Sequence, residues 1–474
     1  MSKLLPNLPI ENLTTENDYI GIIEKGNLLR SFFLHNKHEF SQMKIFSIYG
    51  EWGSGKSTLM KYLEKELKGS FNTFFFESWE FESDENLSLS LLETLTKDTN
   101  SSTDGLIKNA RKLFEGFAKS LTIKTPIVNI NTDKILEEVK EDSFLELKEQ
   151  FKADFIDWEN KITTKDKSPD YNIVFIDDLD RCEPENILNL LSAMKLFFTY
   201  GKKTIFLCGI DKKAIREAVK TKYGEIVKAN EYLEKVFDIS FSMPETVDAS
   251  KLVKQYFNDD EIVEGKKIGD LISDFFDDLH FKNPRRIKKI LNKYLIIKRL
   301  KESESSDNLV LPNIIHNNSG TLFETYLTLY LLILSEFEPE NFKLLFNLSA
   351  KRINYADSLK KSNLDESQIK SISSNHLLNY LKEESLRGEK IGNYEDKVLF
   401  RFYLANFTPN KVDSISSLIF GDRDSFTKHF NLEIKSYEYY FSIFMFQNEL
   451  NFINDLKNME ISLINYKKII SNLI

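Results

Sequence analysis

Between an apolar run, Ile45-Phe46-Ser47-Ile48-Tyr49, and a helical pattern from Leu59 to Leu67 lies Gly50-Glu51-Trp52-Gly53-Ser54-Gly55-Lys56-Ser57-Thr58. Strand, glycine loop and helix, in that order, form the context in which G-x-x-x-x-G-K-[ST] works as a phosphate cradle. Gly50, Gly53 and Gly55 let the backbone turn so that successive N–H groups point inward at an anion. The helix that follows adds unpaired N–H donors and the positive end of its dipole. Lys56 brings a mobile charge for β- and γ-phosphates, and the Ser57 hydroxyl can join the shell of a Mg²⁺ ion. An ordinary glycine turn before a helix is the alternative, and the flanking strand and helix disfavour it. We therefore assign Gly50, Glu51, Trp52, Gly53, Ser54, Gly55, Lys56, Ser57 and Thr58 to nucleotide binding.

A second landmark is Tyr171-Asn172-Ile173-Val174-Phe175-Ile176-Asp177-Asp178-Leu179-Asp180-Arg181-Cys182. A buried parallel strand shows as a continuous apolar run, and this one ends in paired carboxylates. We expect the strand to lie beside the phosphate loop. Asp177 would then hold Mg²⁺ through water, and Asp178 would orient or deprotonate the attacking water. Two adjacent acids at a strand end are costly unless a metal or donors balance them. For Asp180 and Arg181 a structural ion pair and a catalytic role both stay open. Asn72 to Glu80 reads as another strand; Glu77 could reach the site from its end, and Trp79 reads as a core or interface side chain. Lys203 to Asp211 is a further buried strand, with Asp211 either sensing the γ-phosphate or capping the next helix. The segment Asp18-Tyr19-Ile20-Gly21-Ile22 leads towards the loop strand and either contacts the base or packs.

At 474 residues the chain exceeds one small core. We place a nucleotide-binding core at 1–245 with a helical insertion at about 86–169, a helical lid at 246–300, and a helical C-terminal domain at 301–474. The insertion carries a β-like break at Thr122 to Ile130 and an amphipathic helix through Phe144, Phe151, Phe155 and Trp158. The net charge of −9 argues against indiscriminate nucleic-acid binding. Cys182 and Cys208 lie in or beside apolar runs and read as buried free thiols. The six histidines lack ligand spacing, and we expect no structural metal. Met1 to Glu11 has no signal-peptide core, and the apolar run Leu327 to Leu334 is too short to span a bilayer. We expect a cytoplasmic protein without a membrane segment.

Past Pro244 the pattern is helical. Asn283-Pro284-Arg285-Arg286 is a helix start, with Asn283 as cap and Pro284 at the first position. One of these arginines could close over the nucleotide. Otherwise they begin a basic face continued by Lys288, Lys289, Lys293, Lys298 and Arg299, which could meet nucleic acid or an acidic partner or simply be solvated. Lys301 to Asn308 reads as a linker, and beyond it the aromatic stretch Tyr437 to Phe446 reads as core, with an interaction surface as the alternative.

Taken together these residues resemble the KAP family of phosphate-loop NTPases. The resemblance is carried by Gly50 to Ser57 with its internal tryptophan, by Val174 to Pro184, by Asn283 to Lys288 and by Phe76-Glu77-Ser78-Trp79. It covers about residues 15–295. It implies an α/β P-loop core with a central parallel sheet and a helical insertion, followed by a helical lid and C-terminal region. It further implies ATP and Mg²⁺ as cofactors, with homo-oligomerisation on ATP. It casts Asp177 as metal partner beside Ser57, Asp178 as the catalytic acid beside the catalytic Lys56 already read from the loop, and Arg285 or Arg286 as sensor. Arg181 it leaves as a finger or a structural arginine. Many members carry paired transmembrane helices in the insertion, but here that segment is too polar. Soluble bacterial members are associated with defence against phage beside partner proteins, so the resemblance implies an ATP-driven switch or assembly scaffold in that setting. The alternative is an ATP-dependent nucleic-acid motor or clamp.

Overall fold

The computed structural model describes residues 4–84, 86–97, 104–121, 141–164, 168–224, 227–244, 248–257, 262–263, 266–278, 281–302, 320–337 and 339. The break Thr122–Ile130 and the stretch Tyr437–Phe446 lie outside the described residues. The chain divides into two compact units: Leu8–Val247, and Asp248–Ile474 together with Met1–Asn7.

Five strands form the centre of the first unit: β1 (Ile45–Tyr49), β2 (Asn72–Glu77), β3 (Asn172–Asp177), β4 (Thr204–Ile210) and β5 (Ile239–Ser242). Their order is β2-β3-β4-β1-β5, and every pairing is parallel. β1, β3 and β4 are buried along their whole length, whereas the edge strand β5 alternates half-buried with exposed residues. Continuous apolar runs in the sequence mark the three interior strands because both of their faces are covered.

The end of β3 lies beside the loop as expected, with Lys56 meeting Asp180, but the strand itself is one place further away. β3 does not neighbour β1, because β4 lies between them. Asp177 therefore approaches the loop across β4 and not from an adjacent strand. Nothing in the residues of β4 announces where it inserts, since a buried strand has the same apolar pattern at any interior position.

Helices α1 (Ile22–His35) and α2 (Lys56–Leu67) cover one sheet face. There Phe46, Ile48, Ile173, Phe175, Ile205 and Leu207 pack against Leu29, Phe33, Leu59 and Leu63. The opposite face is covered by α3 (Leu87–Thr96), α4 (Asp104–Leu121), α5 (Glu141–Thr163), α6 (Pro184–Leu196), α7 (Lys212–Tyr223) and α8 (Val227–Val236). Alternation along the strands sends Val174, Ile176, Phe206 and Cys208 to this second face. The insertion therefore builds a layer of the core: Phe114, Phe151, Phe155 and Trp158 belong to the same buried cluster as the strands. Each such aromatic contributes about 1.5–3 kcal/mol by leaving water.

The second unit contains a single turn α9 (Ser250–Val253), α10 (Ile268–Asp278), α11 (Pro284–Glu302) and α12 (Gly320–Phe337). It is not wholly helical, because Ile262–Val263 and Lys266–Lys267 pair antiparallel as β6 and β7. β-branched Ile262-Val263 followed two residues later by a glycine is a hairpin signal that helical periodicity hides. α11 begins as the sequence indicates, with the Asn283 side chain accepting from the N–H groups of Arg285 and Arg286. It runs on through Lys301 and Glu302, so these two residues of the expected linker are helical. Leu5 exchanges two hydrogen bonds with Asn292, fastening the segment before Leu8 to this helix. No described helix is long and apolar enough to cross a membrane.

Candidate functional site

The loop after β1 turns on two left-handed glycines, Gly53 at φ 85° and Gly55 at φ 99°. At Gly55 an added Cβ would also lie 3.0 Å from the Cδ1 atoms of both Ile20 and Ile22. The segment ahead of α1 thus packs on the loop, and Asp18 caps α1 by accepting from Ile22 and Ile23 N–H. The first turn of α2 has no side-chain cap, which leaves its N–H donors for an anion. Thr58 instead accepts, through its hydroxyl, from the Ile10 N–H.

Lys56 is nearly buried, and its ammonium folds back over the loop. It donates to Gly50 O at 2.8 Å and Glu51 O at 3.3 Å, and it meets Asp180 Oδ2 at 3.4 Å. Asp180 is thereby an ion-pair partner of the loop lysine, with both side chains hidden from solvent.

From β3, Asp177 comes close enough to the Ser57 hydroxyl for it to favour the ionised carboxylate. Its Oδ1 is buried and makes no hydrogen bond. Burial pushes this carboxyl up, against the pull of the Ser57 hydroxyl and the Asp178 backbone N–H. The contact across β4 depends on Gly209, where an added Cβ would lie 2.6 Å from Met60 Sδ and 3.1 Å from Asp177 Oδ1. Gly209 did not feature in the sequence reading. A glycine inside a strand pattern is the signal that would have found it, since it marks close approach of other groups.

Asp178 is the one non-glycine with positive φ among the described residues, at 54°. Arg181 Nη2 lies 3.0 Å from its Oδ1. Burial first, and Asp177 second, push its carboxyl up to about 6, while Arg181 opposes the shift. Arg181 thus engages its own chain, with its guanidinium over the Trp79 ring at 5.2 Å. Trp79 is 55% exposed, so of the two sequence readings, core or interface, the structure excludes the core. Glu77 pairs with Lys61 at 3.3 Å and adds a repulsive contribution at Asp178. Asp211 combines two tasks: it caps α7 at Lys213 N and accepts from Trp52 N–H in the loop at 3.2 Å. Both thiols are buried, which pushes them up and makes them unreactive.

Orphaned buried polar atoms collect here. Ser54 Oγ, Ser78 Oγ, Glu82 Oε2, Asp177 Oδ1 and Arg181 Nε all lack hydrogen-bond partners. A hard cation suits the Ser57 and Asp177 oxygens, one of which is desolvated and unmatched. The residues therefore fit Mg²⁺ held by Ser57, with Asp177 behind it.

Arg285 and Arg286 belong to the other unit. There Arg285 donates to Asn7 O, Lys288 donates to Pro6 O, and Arg286 lies over the Phe337 ring. Lys289 and Lys293 both pair with Glu336. Much of the supposed basic face is therefore engaged within its own unit.

The family model of the KAP family P-loop domain matches residues 34–301. The chain belongs to the KAP family of P-loop NTPases. Two relatives come from Methanocaldococcus jannaschii. Uncharacterized protein MJ0181 is 41% identical over 113 residues, covering 22% of this chain and 44% of that protein. Uncharacterized protein MJ0182 is 30% identical over 178 residues, covering 29% of this chain and 90% of its own length. This KAP chain therefore spans less than half the length of the first of them. Among solved structures, the Walker-type ATPase PABY2304 of Pyrococcus abyssi covers 81% of this chain and 93% of its own, at 14% identity and a TM-score of 0.31. That similarity is too slight to carry a conclusion. The KAP domain match spans every loop and β3 residue described above, including the insertion.

Proposed function

We propose that the chain is a Mg²⁺-dependent ATP hydrolase whose nucleotide state switches or assembles a protein complex. The observation that carries the hydrolase reading is the meeting of Ser57 with Asp177 across Gly209, beside the buried Lys56 and the strained Asp178. N–H groups of the loop and of the first turn of α2 bind the β-phosphate, and Lys56 exchanges Asp180 for β- and γ-phosphate oxygens. Ser57 and Asp177 hold Mg²⁺, which when bound supplies charge neutralisation on the phosphates. Asp178 accepts a proton from, or orients, the attacking water; a carboxyl raised towards neutrality suits that task.

Asp178→Asn should lower phosphate release by about 10²-fold or more while nucleotide still binds. Equal rates in wild type and variant would overturn the catalytic reading, and near-zero rates in both would make the chain a nucleotide-binding module. The switch, the homo-oligomer, the protein partner and the antiphage setting draw support from kinship with soluble KAP proteins. Native mass with and without a non-hydrolysable ATP analogue, with a pull-down from the host, tests them: a monomer without partners in both conditions overturns the scaffold. The nucleic-acid alternative gains nothing from α11, whose Arg285, Lys288, Lys289 and Lys293 have intramolecular partners.

A further inference from the structure

Trp79 stands in the 3₁₀ turn Ser78–Phe81 that follows β2, about a hundred residues before the acids of β3. A large ring left more than half in solvent is not explained by core packing. Its face is covered by the Arg181 guanidinium at 5.2 Å, and the same guanidinium meets Asp178 Oδ1 at 3.0 Å. Arg181 Nε is buried without a hydrogen bond, so among the described residues no further carboxylate or carbonyl holds that side of the fork. What orients the guanidinium is the ring above it and the carboxylate beside it.

We propose that Trp79 is a positioning residue for hydrolysis: its ring fixes the Arg181 guanidinium, which fixes the Asp178 carboxylate against the attacking water. The proposal rests on the reading of Asp178 given above. The turn that carries Trp79 has its own anchors. Phe76 and Phe81 stack with ring centroids 4.9 Å apart, and Glu82 Oε1 accepts from Glu183 N–H at 2.7 Å and from Asn186 Nδ2 at 3.2 Å. The ring can therefore be changed with the turn kept in place. None of the Lys56, Ser57 or Asp177 contacts described above involves Trp79, so the change acts on turnover and leaves binding alone.

The test uses the full chain with Trp79→Leu, which keeps apolar bulk and removes the π face, and Trp79→Phe, which keeps a face. A cation–π contact at a partly exposed site corresponds to roughly a two- to five-fold effect, so Trp79→Leu should lower kcat by about that factor with KM unchanged. Trp79→Phe should restore most of it. In an Arg181→Met background, Trp79→Leu should cause no further loss, because the ring acts only through the arginine. Melting temperature and the Kd of a fluorescent nucleotide check that each variant is folded. Multiplying losses in the double variant, a KM that rises in step with the fall in kcat, or an unchanged kcat in Trp79→Leu would each overturn the proposal. Asp178→Asn runs alongside: wild-type turnover there sinks the reading of Asp178 itself, whereas a failure confined to the Trp79 variants leaves that reading intact.

Discussion

Lys44 and Lys56 flank the same strand, one just before β1 and one just after its loop, and they are only 4% and 6% exposed. Their surroundings differ. The Lys56 ammonium has two loop carbonyls and Asp180 around it. The Lys44 ammonium makes no hydrogen bond. The carboxylates nearest to it are turned to other donors. Glu159 accepts from Lys202 N, Lys203 N and the Thr204 hydroxyl, and Asp238 accepts from Lys44 N, Ile45 N and Lys195 Nζ. Burial holds Lys44 down to about 8, against the pull of Glu159 and Asp238. At the loop end of the sheet a buried charge is held by groups that another anion can replace. At the opposite end the carboxylates tie the insertion helix α5 and β5 to the strand backbones, and the lysine charge is a burden.

The strongest way to break this comparison is to remove each lysine in turn. Lys56→Met should weaken nucleotide binding by about 100-fold or more, ~3 kcal/mol, in a fluorescent-nucleotide titration, whereas Lys44→Met leaves Kd unchanged. Equal effects would mean that the loop end is not special. Next in size is Gly209→Val, where the added Cβ alone meets Met60 Sδ and Asp177 Oδ1. Overpacking of about 1–3 kcal/mol should appear in the melting curve, with turnover falling at least about ten-fold as Asp177 leaves Ser57. Turnover preserved in a destabilised Gly209→Val would separate Gly209 from the site.

Asp180→Asn sharpens the contrast further. It leaves Lys56 with carbonyls alone and should cost about 1–3 kcal/mol in stability, part of which saturating nucleotide returns by supplying phosphate oxygens. The thermal shift on adding nucleotide should therefore exceed that of the wild type; an identical shift would show that Asp180 does not share Lys56 with the ligand. The smallest effect is at Lys44. Below about pH 8 the folded protein buries a charged lysine. Between that value and the ordinary lysine range it binds fewer protons than the unfolded chain, so its contribution to stability rises with pH. Lys44→Met should gain about 1–2 kcal/mol at pH 7, and the gain should shrink as pH climbs from 8 towards 10. A gain independent of pH would assign it to packing.

The loop, the interior strands and the twin acids were legible because each is a local pattern: glycine spacing, an unbroken apolar run, acids where that run ends. Both faces of β1, β3 and β4 are covered, which is why their sequences show no alternation. For Trp79 the sequence offered core and interface together, because an aromatic after a strand has the same composition whether it enters the core or shields an arginine. Asp180 stayed open because its partner, Lys56, stands 124 positions away. The insertion showed its helices but not their use as one layer of the core.

By itself the sequence determined that a glycine loop opens onto a helix and that a carboxylate pair closes a buried strand, because backbone geometry and burial act over a few neighbouring residues. Only the tertiary structure decided that β4 runs between them, that Gly209 lets Asp177 reach Ser57 across it, and which carboxylate takes the lysine. Those outcomes depend on the order in which parallel strands join, and hydrogen-bond pairing between strands carries no local signature of that order.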